Sequence, residues 1–263
     1  MDNTYWHRQT ADQQLFSDIH WSSPQQRSRA GKLAIIGGNV HGFKSVALSY
    51  TNAEKSGAGT IRTLLPDSLA KTLRRVWPDS EFGPSTRSGG FASRALSEWL
   101  SISACADWVI LAGDFGHNSE TDILIEQFLT KQPIPITLVG DAIDLMLSSP
   151  LTILNNDHLI IAPDFAQLQR LLIAIRFPTA AKSSMTFNQL IELLHSLTLS
   201  YHLSLAYIHE NQVMVVNSGS VSSTLADGPT DLTAAATAAS VWRMQQSGKP
   251  FEAMTAGIYQ LLF

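Results

Sequence analysis

Two short stretches carry residue types suited to chemistry at an anion. The first is Gly228-Pro229-Thr230-Asp231, directly ahead of an alanine-rich segment from Leu232 to Gln246 that reads as a helix. Phosphoryl chemistry at a helix N-terminus needs backbone N–H groups aimed at an anion, and a base beside the acceptor hydroxyl. The plain alternative is that Asp231 is a first-turn acid favoured by the helix dipole, with Asp227 or Thr230 as a simple N-cap. The second stretch is Gly37-Gly38-Asn39, which ends the apolar run Lys32 to Ile36. Such a glycine pair can be no more than a turn. It can also open a P-loop, since Gly38 to Ser45 has the length and Lys44-Ser45 fits the end. However, Phe43 stands where that motif needs glycine for close approach to phosphate.

These stretches need elements to hold them. Lys32 to Ile36 reads as a buried strand, Lys44 to Ser56 as a helix that Gly57-Ala58-Gly59 stops, and Thr60 to Leu65 as a second strand ending at Pro66. This β-loop-α-β unit places the glycine pair at the carboxyl end of a strand, where open α/β sheets bind ligands. Asp67 can cap a helix running to Val76 ahead of Pro78, and Asp79 to Gly90 reads as a polar surface loop. A helix over about Phe91 to Ser103 precedes a strand at Asp107 to Leu111. Helix Ser119 to Thr130, strand Pro135 to Val139 and strand His158 to Ile161 come next. Met185 to Leu199 has helical period, Leu203 to Tyr207 and Gln212 to Val216 read as strands, and Pro250 to Leu262 as a terminal helix. The polar, aromatic-spotted segment from Met1 to Arg29 holds a short helix over Ala11 to Ile19. It is expected as an extension (1–30) to one domain (31–263), packed on that domain or on a neighbouring subunit.

Composition narrows the function classes. The 263 residues are 44% hydrophobic and 15% charged, with net charge −4 and no Lys/Arg cluster, so neither nucleic acid nor membrane is an expected partner. The single cysteine, Cys105, excludes an internal disulfide and fits a reducing cytoplasm. The Met1-Asp2-Asn3-Thr4 start has no basic or apolar leader region, and no apolar run approaches a membrane span. His195, His202 and His209 recur every seven residues but cross from helix to strand, and no spacing matches a metal site. No Gly-x-Ser-x-Gly elbow is present to anchor a hydrolase triad.

Gly37-Gly38, Leu48 and Gly57-Ala58-Gly59 at this spacing resemble the opening of the ADP/ATP-dependent NAD(P)H-hydrate dehydratases, a family of the ribokinase-like superfamily. The family places Gly-Pro-Gly-Leu-Gly after the next buried strand, where this chain reads Ala112-Gly113-Asp114-Phe115-Gly116. Its Asp-Ala-Asp-Ala-Leu becomes Val139-Gly140-Asp141-Ala142-Ile143. Its Thr-Pro-His-Pro-Gly-Glu, which helps hold the hydrated nicotinamide, becomes Ala162-Pro163-Asp164-Phe165-Ala166-Gln167. A phosphate-contacting Lys-Gly pair gives way to Ile208-His209. The family's Val-Asn, Gly-rich run and Thr-Gly-Gly-Thr-Gly-Asp correspond to Val216-Asn217, a Ser/Gly run and Ala226 to Asp231. Order and spacing are kept from Lys32 to Phe263 better than the chemical residues are.

The resemblance implies one ribokinase-like three-layer αβα domain with a central, mostly parallel sheet. It implies dehydration of hydrated NADH or NADPH driven by ADP or ATP, with Mg2+ left open as a companion ion. By position, Asp231 is the base, and Asn217, Gly228, Pro229 and Thr230 serve the nucleotide phosphate. Gly38, Asn39, Asp114, Gly116, Asp141 and Asp164 line the substrate cleft. Pro229 removes one N–H donor from the phosphate loop. Two alternatives stay open: a catalytically silent relative that binds nucleotide or another subunit, and a small-molecule kinase of the same fold. A homo-oligomer is expected, with the tryptophan-bearing extension as a candidate contact.

Overall fold

A computed structural model of the chain describes residues 4–24, 26–116, 118–131, 135–147, 154 and 156–263. Ten strands form one sheet among them: β1 (Trp6–Gln9), β2 (Lys32–Gly37), β3 (Thr60–Pro66), β4 (Ser80–Gly83), β5 (Trp108–Gly113), β6 (Ile136–Val139), β7 (Leu159–Ala162), β8 (Ser204–His209), β9 (Gln212–Asn217) and β10 (Ser220–Leu225). Their order across the sheet is β1-β10-β9-β8-β7-β6-β5-β2-β3-β4. Every pairing is parallel except those of β9, which runs antiparallel to β8 and β10. The carboxyl ends of the other nine strands therefore share one edge.

Strand periodicity divides the core into two layers. In β2, Leu33 and Ile35 point to one face and Ala34 and Ile36 to the other. The first face is covered by α2 (Lys44–Lys55), α9 (Leu232–Gln245) and α10 (Pro250–Leu262), with Ala235, Ala236, Ala239 and Met254 packed on the sheet. The second is covered by α4 (Leu96–Ala104), α5 (Ser119–Lys131), α6 (Asp141–Met146), α7 (Phe165–Ala174) and α8 (Phe187–Ser200). Two short helices, α1 (Ser17–Trp21) and α3 (Ala70–Leu73), are also present among the described residues. Alanine and small residues along α9 let it lie buried over β5 to β8 and against α2.

Several sequence expectations change. The Ser/Gly run after Asn217 is a hairpin turn at Ser218-Gly219 followed by a whole strand, β10. The loop expected over Asp79 to Gly90 contains β4, an edge strand tied by the Arg62–Glu81 ion pair at 2.6 Å and by Thr63 Oγ1 donating to Ser80 Oγ at 3.0 Å. The N-terminal segment supplies the opposite edge strand. Trp6 Nε1 donates to Ser223 Oγ, and buried Gln9 donates to Thr224 Oγ1, each at 3.0 Å. Its helix covers 17–21 rather than 11–19, and the helix expected to reach Val76 ends at Leu73. Helix α7 (Phe165–Ala174) occupies a stretch for which the sequence reading gives no element.

Candidate functional site at the carboxyl edge of the sheet

The loop after β2 is built around glycine. A β-carbon on Gly37 would meet the Gly113 carbonyl oxygen at 2.6 Å, and Gly38 has φ +88° while its N–H donates to that same oxygen at 3.0 Å. Asn39 and Gly42 then close a tight turn through paired backbone bonds of 2.9 and 3.1 Å. The Asn39 side chain works in both directions: Oδ1 accepts from His41 N at 2.7 Å, and Nδ2 donates to the Asp114 carbonyl at 2.6 Å. The loop after β3 and β4 walls the turn, since Val40 N donates to the Gly89 carbonyl at 3.0 Å.

Asp114 sits in the left-handed region, φ +58°, at the exit of β5. Its Oδ2 accepts from Ser45 N at 2.8 Å, in the first turn of α2. The residue at the N-cap of α2, Phe43, gives no side-chain bond. A helix N-terminus that could face an anion is thus occupied by the protein's own carboxylate. Next along the edge, Asp141 Oδ2 accepts from Gly116 N at 3.0 Å. Gln167 in turn donates to the Gly140 carbonyl at 2.8 Å and to Asp144 Oδ2 at 2.9 Å, and Asp144 pairs with Arg170. Asp164 is the N-cap of α7, where its Oδ1 accepts from Gln167 N at 2.7 Å in a reciprocal capping box. The structure therefore brings Gly38, Asn39, Asp114, Gly116 and Asp141 into one hydrogen-bonded cluster. Asp164 is joined to it only through Gln167.

The loop before α9 differs. Asp231 is itself the N-cap, its Oδ1 accepting from Thr233 N at 2.8 Å and from Ala234 N at 3.4 Å. The cap expected at Asp227 or Thr230 is therefore one residue further on, or more. Both bonds fall on one oxygen, and Oδ2 makes no hydrogen bond among the described residues. Nor do the backbone N–H groups of Gly228, Thr230, Asp231 and Leu232. A β-carbon on Gly228 would meet nothing within 4 Å, so open space lies before the loop. Pro229 is exposed and contributes no N–H. Since α9 packs against α2, this open N-terminus and the closed one under Asp114 lie on the same face of the sheet.

Asn217 does not join this site. It ends β9, the antiparallel strand, and so lies at the opposite edge opposite Ser204, the first residue of β8. Its amide donates to Ser204 Oγ at 2.8 Å, and Arg243 Nη1 donates to the same oxygen at 3.1 Å. The intervening strand β10 separates Asn217 from the loop before α9, which the sequence spacing alone does not reveal. Conversely, no lysine is available at the carboxyl end of β8 in the sequence. Yet Lys182, from the segment between α7 and α8, lines a cavity there with His209. Nothing in its local sequence marks it. Among the described residues no group of three or more His, Cys, Asp or Glu side chains could hold a metal ion. No helix among them is long and apolar enough to cross a membrane.

No family model matches the chain. Part of it is similar to the bifunctional NAD(P)H-hydrate repair enzyme Nnr of Moorella thermoacetica, at 24% identity over 146 residues. That match covers 54% of this chain and 27% of the relative, so the chain spans only about a quarter of that enzyme's length. Among solved structures, a ribokinase-like superfamily protein from Enterococcus faecalis superposes with a TM-score of 0.72 at 14% identity, covering 100% of this chain and 88% of the other. The ADP/ATP-dependent NAD(P)H-hydrate dehydratase of Bacillus subtilis, co-crystallised with ATP and Mg2+, gives 0.64 at 9% identity, covering 93% and 85%. With its mostly parallel sheet between two helical layers, the chain has the ribokinase-like three-layer α/β fold.

Proposed function

We propose that the protein binds ADP or ATP with a phosphate against the Gly228–Asp231 loop and acts as an NAD(P)H-hydrate dehydratase-like enzyme. The observation that carries this reading is the uncommitted donor set before α9, beside an aspartate with one oxygen uncommitted. The N–H groups of Gly228, Thr230, Asp231 and Leu232 suit an anion, and the open space at Gly228 admits it. Asp231 takes the proton from a substrate hydroxyl as that oxygen attacks the terminal phosphorus and the shortened nucleotide leaves; the ring C–O bond then breaks with loss of inorganic phosphate, and a proton leaves the adjacent ring carbon to restore the double bond. Magnesium would arrive with the nucleotide, as no cluster of protein ligands is in place for it among the described residues. The similarity to repair enzymes points to hydrated NADH or NADPH as substrate. Asp231→Asn should abolish turnover of hydrated NADH while keeping the helix cap, since asparagine caps as well as aspartate. A homo-oligomer is part of the proposal, with Trp21, 83% exposed, as its contact.

A second reading rests on its own observation. Carboxylates close two other helix N-termini along the edge: Asp114 on α2 and Asp164 on α7. A dinucleotide diphosphate gains nothing from either. This favours a catalytically silent relative that keeps only the nucleotide site, for which hydrated NADH would give no turnover in the wild type.

A further inference from the structure

A second cavity lies at the same edge of the sheet but across it from α9, on the face covered by α7 and α8. It has a volume of about 210 Å³, between the start of α7, the segment leading into α8 and the end of β8. Phe165, Met185, Leu190 and Ile208 give it apolar walls. A space of this size holds one ring rather than a whole nucleotide.

The polar groups decide what kind of ring. Tyr207 is 1% exposed and lines the cavity, and its hydroxyl forms no hydrogen bond among the described residues. That hydroxyl is therefore left as a donor for an acceptor on a ligand in the cavity. Burial, with the Asp164 charge adding to it, pushes the phenol up to about 12, so it remains a donor at neutral pH. Lys182 adds a second donor on the rim, and Glu210 an acceptor. Their formal charges cancel, which favours a neutral ligand over an ion. His209 is held at the rim by stacking on Phe187, with ring centres 6.1 Å apart. Lys182 and Met185 also border a wider groove of about 530 Å³ over Pro178 to Ser184, with room for a substituent on the ring.

We infer that this cavity binds a neutral single-ring heterocycle carrying a carbonyl next to a ring N–H, with the carbonyl on Tyr207 and Lys182 and the N–H on Glu210. The site is separate from the Gly228–Asp231 loop and does not depend on nucleotide binding there.

The test is titration of the full chain with uracil and 2-pyridone, followed by amide chemical shifts, with pyrimidine and pyridine as ring-matched compounds lacking the carbonyl and N–H pair. The expected result is saturable shifts at residues 207–210 for uracil and 2-pyridone, and binding at least about tenfold weaker for the controls. Tyr207→Phe removes only the hydroxyl and keeps the core filled; Lys182→Ala changes an exposed side chain. Each should weaken uracil or 2-pyridone binding several-fold without moving the melting temperature downward. Absence of shifts up to millimolar ligand overturns the inference. So does binding that is equal for the controls or unchanged in both variants.

Discussion

The Asp114 carboxylate accepts the Ser45 backbone N–H at 2.8 Å, from a residue whose own backbone is left-handed at φ +58°. A side chain from the exit of β5 thus caps a helix 69 positions earlier in the chain, at the point where an anionic ligand would otherwise sit. The cost of the backbone conformation is small for aspartate, which tolerates this region better than most residues. Asp114→Ala should lose the cap and keep the strained backbone, destabilising by about 1–2 kcal/mol in urea unfolding. Asp114→Gly loses the same cap but relieves the strain, for a net cost of under about 1 kcal/mol. The same variant removes a negative charge from the α2 N-terminus and should tighten NADPH binding about 3- to 10-fold in a calorimetric titration.

Two glycines make a contrasting pair. A β-carbon on Gly59 would meet the Arg27 and Gly31 carbonyl oxygens at 2.2 and 2.7 Å, both backbone atoms that cannot move aside cheaply. Gly59→Ala should cost about 3 kcal/mol or more, read as a fall in the denaturation midpoint. Gly228→Ala meets nothing within 4 Å and should leave the midpoint unchanged. If a phosphate approaches that backbone, however, the added methyl should weaken ADP or ATP binding.

Arg243 is a buried cation at the opposite edge, 5% exposed. It donates to Ser204 Oγ and to the Asp157 carbonyl, and its guanidinium lies 5.8 Å from the centre of the Trp108 ring. Burial holds it down at about 10. Arg243→Ala should destabilise by about 2–4 kcal/mol because it strands these partners and opens a void. Arg243→Lys should recover less than half, since an ammonium cannot serve two partners as the planar fork does.

Tyr207 gives stability a dependence on alkaline pH. Its folded value is raised from 10 to about 12, so the folded chain keeps a proton that the unfolded chain releases. Its contribution is complete below about pH 10 and is lost as pH rises towards 12, by on the order of 1–2 kcal/mol. Unfolding midpoints of wild type and Tyr207→Phe, compared over that window, should diverge, with the wild type falling faster.

Much of the fold was legible because its signals are local. Lys32–Ile36, Asp107–Leu111 and the alanine-rich run after Asp231 are long, apolar and bounded by glycine, proline or acid. The elements that were missed are those whose stability is not local. β1 and β4 are four-residue edge strands, and each is fixed by side-chain bonds across the sheet, such as Gln9 to Thr224 and Thr63 to Ser80. β10 reads as Ser-Val-Ser-Ser-Thr, which has the composition of a loop. Helix α7 did carry a signal, the Asp164-x-x-Gln167 capping box. That carboxylate, expected at the substrate, is instead committed to the cap. For the site, spacing places Gly38, Asn39, Asp114, Gly116 and Asp141 at one edge but does not show that their polar atoms bind one another. Asn217 was displaced by one unrecognised strand, and Lys182 reaches the edge only through tertiary structure.

The central claim is that the loop before α9 still holds a nucleotide phosphate. Calorimetric titration of the wild type with ADP and ATP, with and without magnesium, tests it most directly, with Gly228→Ala as the matched variant. The account predicts micromolar binding by the wild type and a loss of about tenfold or more in Gly228→Ala at unchanged stability. No heat and no thermal shift with either nucleotide up to millimolar concentration would contradict it, as would equal binding by the variant.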